Sequence, residues 1–177
     1  MVRELELSDA EQYLALRMES EQEVPESVGF NAERELQAGA DGIRPLLSTY
    51  ALEGTRIWGA FEMDRLLGTV ALSRRLSPKY RHKAFLWGMY VKPASRGSGV
   101  SSALMAAVVS WAMRQPGLVA ISLQVTTTNA RARRFYERSG FVMFGTERRS
   151  LFVEPAFHDV HYMELELNGV TGLKQRT

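Results

Sequence analysis

The stretch Val91-Lys92-Pro93-Ala94-Ser95-Arg96-Gly97-Ser98-Gly99-Val100-Ser101-Ser102 decides how the rest of this chain is read. It follows Ala84 to Val91, an apolar and aromatic run with the character of a central strand ended by Pro93. Beyond Gly99 the period changes. Val100, Ala103, Leu104, Ala107, Val108 and Trp111 fall on one stripe of an amphipathic helix, which Pro116-Gly117 stops. A strand therefore ends, a glycine loop turns and a helix begins. The first turn of such a helix has free amides and the positive end of a dipole, an anion site worth roughly 0.3–2 kcal/mol from the dipole alone. Gly97 and Gly99 let the backbone approach an oxygen. Ser98, Ser101 and Ser102 can add hydroxyls, and Arg96 a fixed positive charge.

Several occupants compete for this loop. A purely structural turn is one reading. A dinucleotide fingerprint would read Gly97-x-Gly99-x-x-Ser102, with Ser in place of the last Gly. That reading wants an acid at the end of the next strand to hold a ribose. The next strand, Val119 to Val125, leads into Thr126-Thr127 with none. No Gly-Lys-Ser/Thr follows, so a nucleotide P-loop is excluded. A third reading is the pyrophosphate of coenzyme A.

Here the chain resembles the GNAT superfamily of N-acetyltransferases. That family's motif, Gln/Arg-x-x-Gly-x-Gly/Ala after an apolar-Val pair, is matched by Arg96-x-x-Gly99-x-Ser101 after Tyr90-Val91, with Ser101 where Gly or Ala is usual. A second stretch resembles the family's other signature. Leu123-Gln124-Val125-Thr126-Thr127-Thr128-Asn129-Ala130-Arg131-Ala132 leads into Phe135-Tyr136-Glu137-Arg138-Ser139-Gly140-Phe141. The two lie about 30 residues apart, a normal βαβ spacing. The resemblance is carried by Leu86 to Phe144 and extends over Val2 to Leu167.

The remaining sequence supplies the frame. Val2 to Leu5 reads as a first strand. Ser8 and Glu11 read as a capping box for a helix with apolar Tyr13, Leu14, Leu16 and Met18. Glu19 to Glu35 reads as a Glu-rich loop, broken by Pro25 and Gly29, then a helix around Ala32 to Ala38. It is either a solvated surface or an acidic lip for a cationic substrate. Arg44 to Glu53 is predicted helical with Pro45 in its first turn. Arg56 to Glu62 and Leu66 to Ser73 read as a hairpin about Met63-Asp64-Arg65. Asn129 to Ser139 is a short helix closed by Gly140. Phe141 to Glu147 and Val160 to Leu167 close the sheet. The sum is a mixed α/β fold in which antiparallel strands precede a βαβ crossover. The resemblance implies the GNAT fold: a mostly antiparallel sheet of about seven strands with an acyl-CoA-binding βαβ core flanked by helices. One domain, 1–167, is expected, with a frayed tail at 168–177.

Composition narrows the function. The 177 residues contain no cysteine, which removes disulfides, thiolate nucleophiles and Cys-ligated metals. His82, His158 and His161 are the only histidines, and nothing around them suggests a metal site. A net charge of +2 is too small to imply nucleic acid. No signal peptide or membrane-spanning run is visible, so a cytoplasmic protein is expected.

The resemblance implies acetyl-CoA as cosubstrate and direct attack by a primary amine through a tetrahedral intermediate. The acceptor would be a small molecule or a peptide amine. Met89, Tyr90 and Val91 would pair with the pantetheine arm through their backbones, and Gly97 to Ser102 would hold the pyrophosphate. Asn129 would bond the cofactor near the thioester, although Asn also suits a helix N-cap. Tyr136 matches the position of a general acid that protonates the departing sulfur; its plain alternative is a core tyrosine beside Phe135. Some members place a Glu base where this chain has Gln124. Glu62, His82, the Glu21 to Glu26 segment or a water chain remain as bases. Arg131, Arg134 and Arg138 form one helix face, either solvated or directed at the 3′-phosphate of CoA. A homodimer is common in the family. The competing class is a GNAT-fold module that binds acyl-CoA as a sensor without catalysis.

Overall fold

A computed structural model describes residues 1–27 and 32–167. Its elements are β1 (Val2–Glu4), a 3-10 turn (Leu7–Asp9), α1 (Ala10–Glu23), α2 (Ala32–Leu52), β2 (Thr55–Glu62), β3 (Arg65–Arg74), β4 (Lys83–Val91), a second 3-10 turn (Pro93–Ser95), α3 (Val100–Met113), β5 (Ala120–Thr126), α4 (Ala130–Arg138), β6 (Val142–Val153) and β7 (Ala156–Glu166). The seven strands form one sheet in the order β1-β2-β3-β4-β5-β7-β6. Only β4 and β5 run parallel, as the βαβ unit through α3 requires.

Each face of the sheet carries its own core. On one side Leu104, Met105, Val108 and Ala112 of α3 and Tyr136 of α4 pack on Leu72, Leu86, Leu123 and Met163. On the other, Tyr13, Leu14 and Leu16 of α1 and Ile43, Leu46 and Tyr50 of α2 pack on Ile57, Phe61, Ala71, Trp87 and Tyr90. Alternation along β4 sends Leu86 to the first core and Trp87 to the second.

Several local expectations need correction. Ser8 does not cap α1. The Asp9 carboxylate accepts the Glu6 amide at 2.7 Å and holds Arg3 at 2.7 and 2.9 Å. Met18 is exposed, because the buried stripe of α1 runs through Ala10, Tyr13, Leu14, Leu16, Arg17 and Ser20. α1 continues through Glu23, so Glu19 to Glu23 is helix and not loop. Pro45 lies inside α2; that helix begins earlier and breaks at Gly39, which adopts φ 61°. β6 extends to Val153 through two register shifts, near Met143/Gly145 and Glu147/Leu151, which disrupt the alternation a sequence reading follows. Gly29, the Glu33 side chain and the tail at 168–177 lie outside the described residues.

Candidate active site

β4 and β5 are paired only from Lys83↔Ala120 to Leu86↔Leu123, yet β4 continues to Val91 and β5 to Thr126. The strands part beyond Leu86. A bulge in β4 assists, since Trp87 pairs with Ala71 and Tyr90 with Thr69, and Gly88 takes φ 62°. The gap opens a cavity of about 600 Å³ running from the Gly97–Ser102 loop to the inner ends of α1 and α4.

The structure brings most of the predicted site residues to this cavity. Met89, Tyr90, Val91, Arg96, Gly97, Gly99, Ser101, Ser102, Asn129 and Tyr136 line it. Ser98 and Val100 do not; they border a second cavity with Met1, Phe61 and Asp64. The Ser98 hydroxyl donates back to the Ser95 carbonyl at 2.7 Å.

Gly97 and Gly99 have φ of 81° and 90°, the left-handed region that glycine reaches without strain. A Cβ at either would meet no atom within 4 Å, so open space lies over the loop. Gly99 precedes α3 without a side-chain cap, and the first intrahelical bond runs from the Ala103 amide to the Gly99 carbonyl at 2.9 Å. The amides of Val100, Ser101 and Ser102 have no partner among the described residues. Unpaired amides at a helix N-terminus under open space suit a diphosphate.

Arg96 has a different place from the one expected. Its Nη atoms hold the Glu23 carboxylate at 2.5 and 2.6 Å, and its Nε donates to the Val91 carbonyl at 2.9 Å. Tyr90 completes the cluster: its hydroxyl donates to Glu23 at 2.6 Å and lies 3.1 Å from Glu19. The bond from Arg96 holds the Glu23 carboxyl below its ordinary range. Glu19 also faces Lys92 at 3.8 Å. Glu19 and Glu23 are thus engaged by the protein's own cations, and the Val91 carbonyl is taken.

Tyr136 is buried at the far wall, its ring edge-on to Phe135 and Phe141 at centroid distances of 5.6 and 5.8 Å. Its hydroxyl has no hydrogen-bond partner among the described residues, and burial pushes its pKa well above that of a free tyrosine. It therefore keeps its proton at any ordinary pH. Asn129 caps α4 by accepting the Ala132 amide at 3.0 Å while its residue borders the cavity. Gln124 lines the cavity. Arg131 and Arg138 do so as well, whereas Arg134 does not. Of the carboxylates considered as bases, only Glu23 lines this cavity, and Arg96 and Tyr90 occupy it. Glu62 borders the second cavity. His158 and His161, three apart on β7, point to opposite faces of the strand, and no cluster able to hold a metal occurs among the described residues.

Two groups escaped the sequence reading. Thr126, 2% exposed at the end of β5, lines the cavity with a buried hydroxyl that has no partner. Arg17 of α1 enters the cavity wall and is held by Glu35, which is fully buried. The two members of this charged pair come from different helices, so the sequence does not show that they meet. The amphipathic stripe of α1 could have flagged Arg17, which falls four residues after Tyr13.

Comparison with known proteins matches this geometry. The family model described as the acetyltransferase (GNAT) family matches residues 16–141. No curated protein matches the sequence. Among solved structures, a GNAT-family acetyltransferase from Streptococcus pneumoniae superposes with a TM-score of 0.80 at 22% identity, covering 95% of this chain and 99% of that one. A putative acetyltransferase from Salmonella typhimurium, solved with its cofactor acetyl-CoA, gives 0.81 at 17% identity and covers 98% and 97%. A ribosomal-protein-alanine N-acetyltransferase from Brucella melitensis gives 0.79 at 19% identity and covers 94% and 99%. No helix among the described residues is long and apolar enough to cross a membrane.

Proposed function

The chain belongs to the acetyltransferase (GNAT) family, whose cosubstrate is acetyl-CoA, and from that premise we propose that it acetylates a primary amine by direct attack. The observation that carries this reading is the continuous cavity from the unpaired α3 amides, past the parted β4, to the Tyr136 hydroxyl. Acetyl-CoA supplies an acyl carbon activated as a thioester. The residues do the rest.

The amides of Val100, Ser101 and Ser102 bind the diphosphate, with Arg131 and Arg138 able to take further phosphate charge. The β4 backbone at Met89 and Tyr90, free of β5, orients the pantetheine amides as an added strand would. Amides on the same parted edge receive the carbonyl oxygen as it gathers negative charge. Tyr136 gives its proton to the departing thiolate, and its raised pKa means that the proton is always there to give. The amine nitrogen bonds to the carbonyl carbon before the carbon–sulfur bond breaks, and the nitrogen proton leaves to water. A water route fits this site because Glu23, the one carboxylate lining it among the described residues, is engaged with Arg96.

Titration calorimetry with acetyl-CoA, followed by CoA release with a panel of amines, tests the proposal. The chain lacks cysteine, so a thiol reagent reads released CoA without protein background. Binding with turnover of at least one amine is expected. Binding with no release for any amine would replace the enzyme by a sensor, and no binding would remove both.

A further inference from the structure

The α1 side of the cavity carries a cation whose outer donors are unused. Arg17 is only 5% exposed, and it lines the cavity. Its Nε donates to Glu35 at 2.6 Å, and the other Glu35 oxygen accepts the Tyr13 hydroxyl at 2.5 Å. Glu35 is thereby saturated on the helix side. The Arg17 Nη groups have no partner among the described residues. The guanidinium carbon stands 5.9 Å from the Trp87 ring centroid, and a Cβ on Gly88 would lie 3.7 Å from Nη1. Gly88 is the bulge at which β4 leaves β5, so this donor edge faces the point where the acyl group and its acceptor must meet.

The Nη atoms are not among the fully buried polar atoms, so they open onto the cavity and are available to a ligand there. A planar donor fork matches the two oxygens of a carboxylate, which it binds with two parallel hydrogen bonds. Other anions in reach do not serve. Glu23 is bound to Arg96, and Glu21, near enough for its charge to be felt by Arg17, forms no ion pair with it. Resting on the acetyl-transfer reading above, we propose that Arg17 anchors the acceptor by a carboxylate, and that the acceptor is an amine bearing a nearby carboxylate, of the α-amino acid class.

The test compares CoA release from each of a set of α-amino acids with release from its carboxamide and its decarboxylated amine. The carboxamide has the less basic amine, so intrinsic reactivity favours it. A preference for the free acid must come from the protein. A double substitution, Arg17→Met with Glu35→Gln, removes both charges and leaves no buried ion alone; thermal melting and acetyl-CoA calorimetry check that it folds and binds the cosubstrate. The wild-type protein is expected to prefer the acid by on the order of 10²-fold in kcat/KM, and the double variant to lose that preference while keeping its acetyl-CoA affinity. Equal or better turnover of the carboxamide or the plain amine by wild type overturns the Arg17 assignment but leaves acetyl transfer standing. So does a preference that survives in the double variant. Acetyl-CoA binding without release from any amine overturns both.

Discussion

Replacing Tyr136 by Phe separates a catalytic tyrosine from a core one, because the two roles predict opposite pairs of results. The ring packs edge-on to Phe135 and Phe141, and phenylalanine retains those contacts. The hydroxyl has no partner among the described residues and opens onto the cavity, so its removal breaks no hydrogen bond within the protein. Stability should therefore change by less than about 1 kcal/mol. Turnover should fall by roughly 10²–10⁴, or about 2.7–5.4 kcal/mol of transition-state stabilisation, if the hydroxyl supplies the thiolate's proton. Stopped thiol detection of CoA with the best amine of the panel measures the rate, and thermal melting measures the fold. The raised pKa adds a further signature. Deprotonation of Tyr136 would produce a falling alkaline limb, and burial moves that limb beyond the ordinary tyrosine range, so wild-type activity should show none from this group below about pH 10. A Phe variant with wild-type turnover and an unchanged melting temperature would refute the reasoning and leave Tyr136 as packing.

Other perturbations probe the loop, the cluster and the frame. Gly99→Ala places a Cβ in open space at φ 90°, so the cost is backbone strain of about 1–2 kcal/mol without a clash, with weaker acetyl-CoA binding by calorimetry. Arg96→Met and Glu23→Gln, made singly and together, should show a coupling of about 1 kcal/mol in denaturant unfolding, given partial exposure, and Arg96→Met alone should weaken acetyl-CoA because it bares a carboxylate in the cavity. Asp9→Asn should cost about 1–3 kcal/mol at pH 7. Arg3 depresses the Asp9 pKa, so this contribution is complete above the unfolded value near 3.9 and fades as pH falls through the folded one; the gap between the two proteins in denaturant melts should close in acid.

What could be read in the sequence was what local chemistry dictates. The loop from Arg96 to Ser102 was legible because two glycines at the junction of an apolar run and an amphipathic stripe admit few backbone paths, and both do take positive φ. Asn129 and Gly140 likewise mark the ends of α4 by cap and left-handed exit. What was lost involved partners distant in the chain. Arg96 looked like a free cation because Glu23, its partner, lies 73 residues away. Glu35 looked like one more surface acid of a Glu-rich segment, yet it is fully buried between Tyr13 and Arg17. The end of β6 was lost for another reason: its register shifts break the alternation at Glu147/Leu151.

The charges along the cavity constrain its occupants more than any single motif does. Arg131 and Arg138 stand on its wall, and Arg131 is close enough to Glu23 to lower that carboxyl further. Arg17 stands beside the bulge, with Glu35 behind it and the donor edge forward. Glu23, the one lining carboxylate among the described residues, is cancelled by Arg96. A polyanion therefore meets attraction from the α3 amides and the α4 arginines, and an acceptor approaching from the α1 side meets a second positive edge. A polycationic amine would have to enter past both. An amine that carries its own anion is drawn to the bulge by that anion and presents its nitrogen where β4 is open, so the same field that holds the cosubstrate also sorts the acceptors.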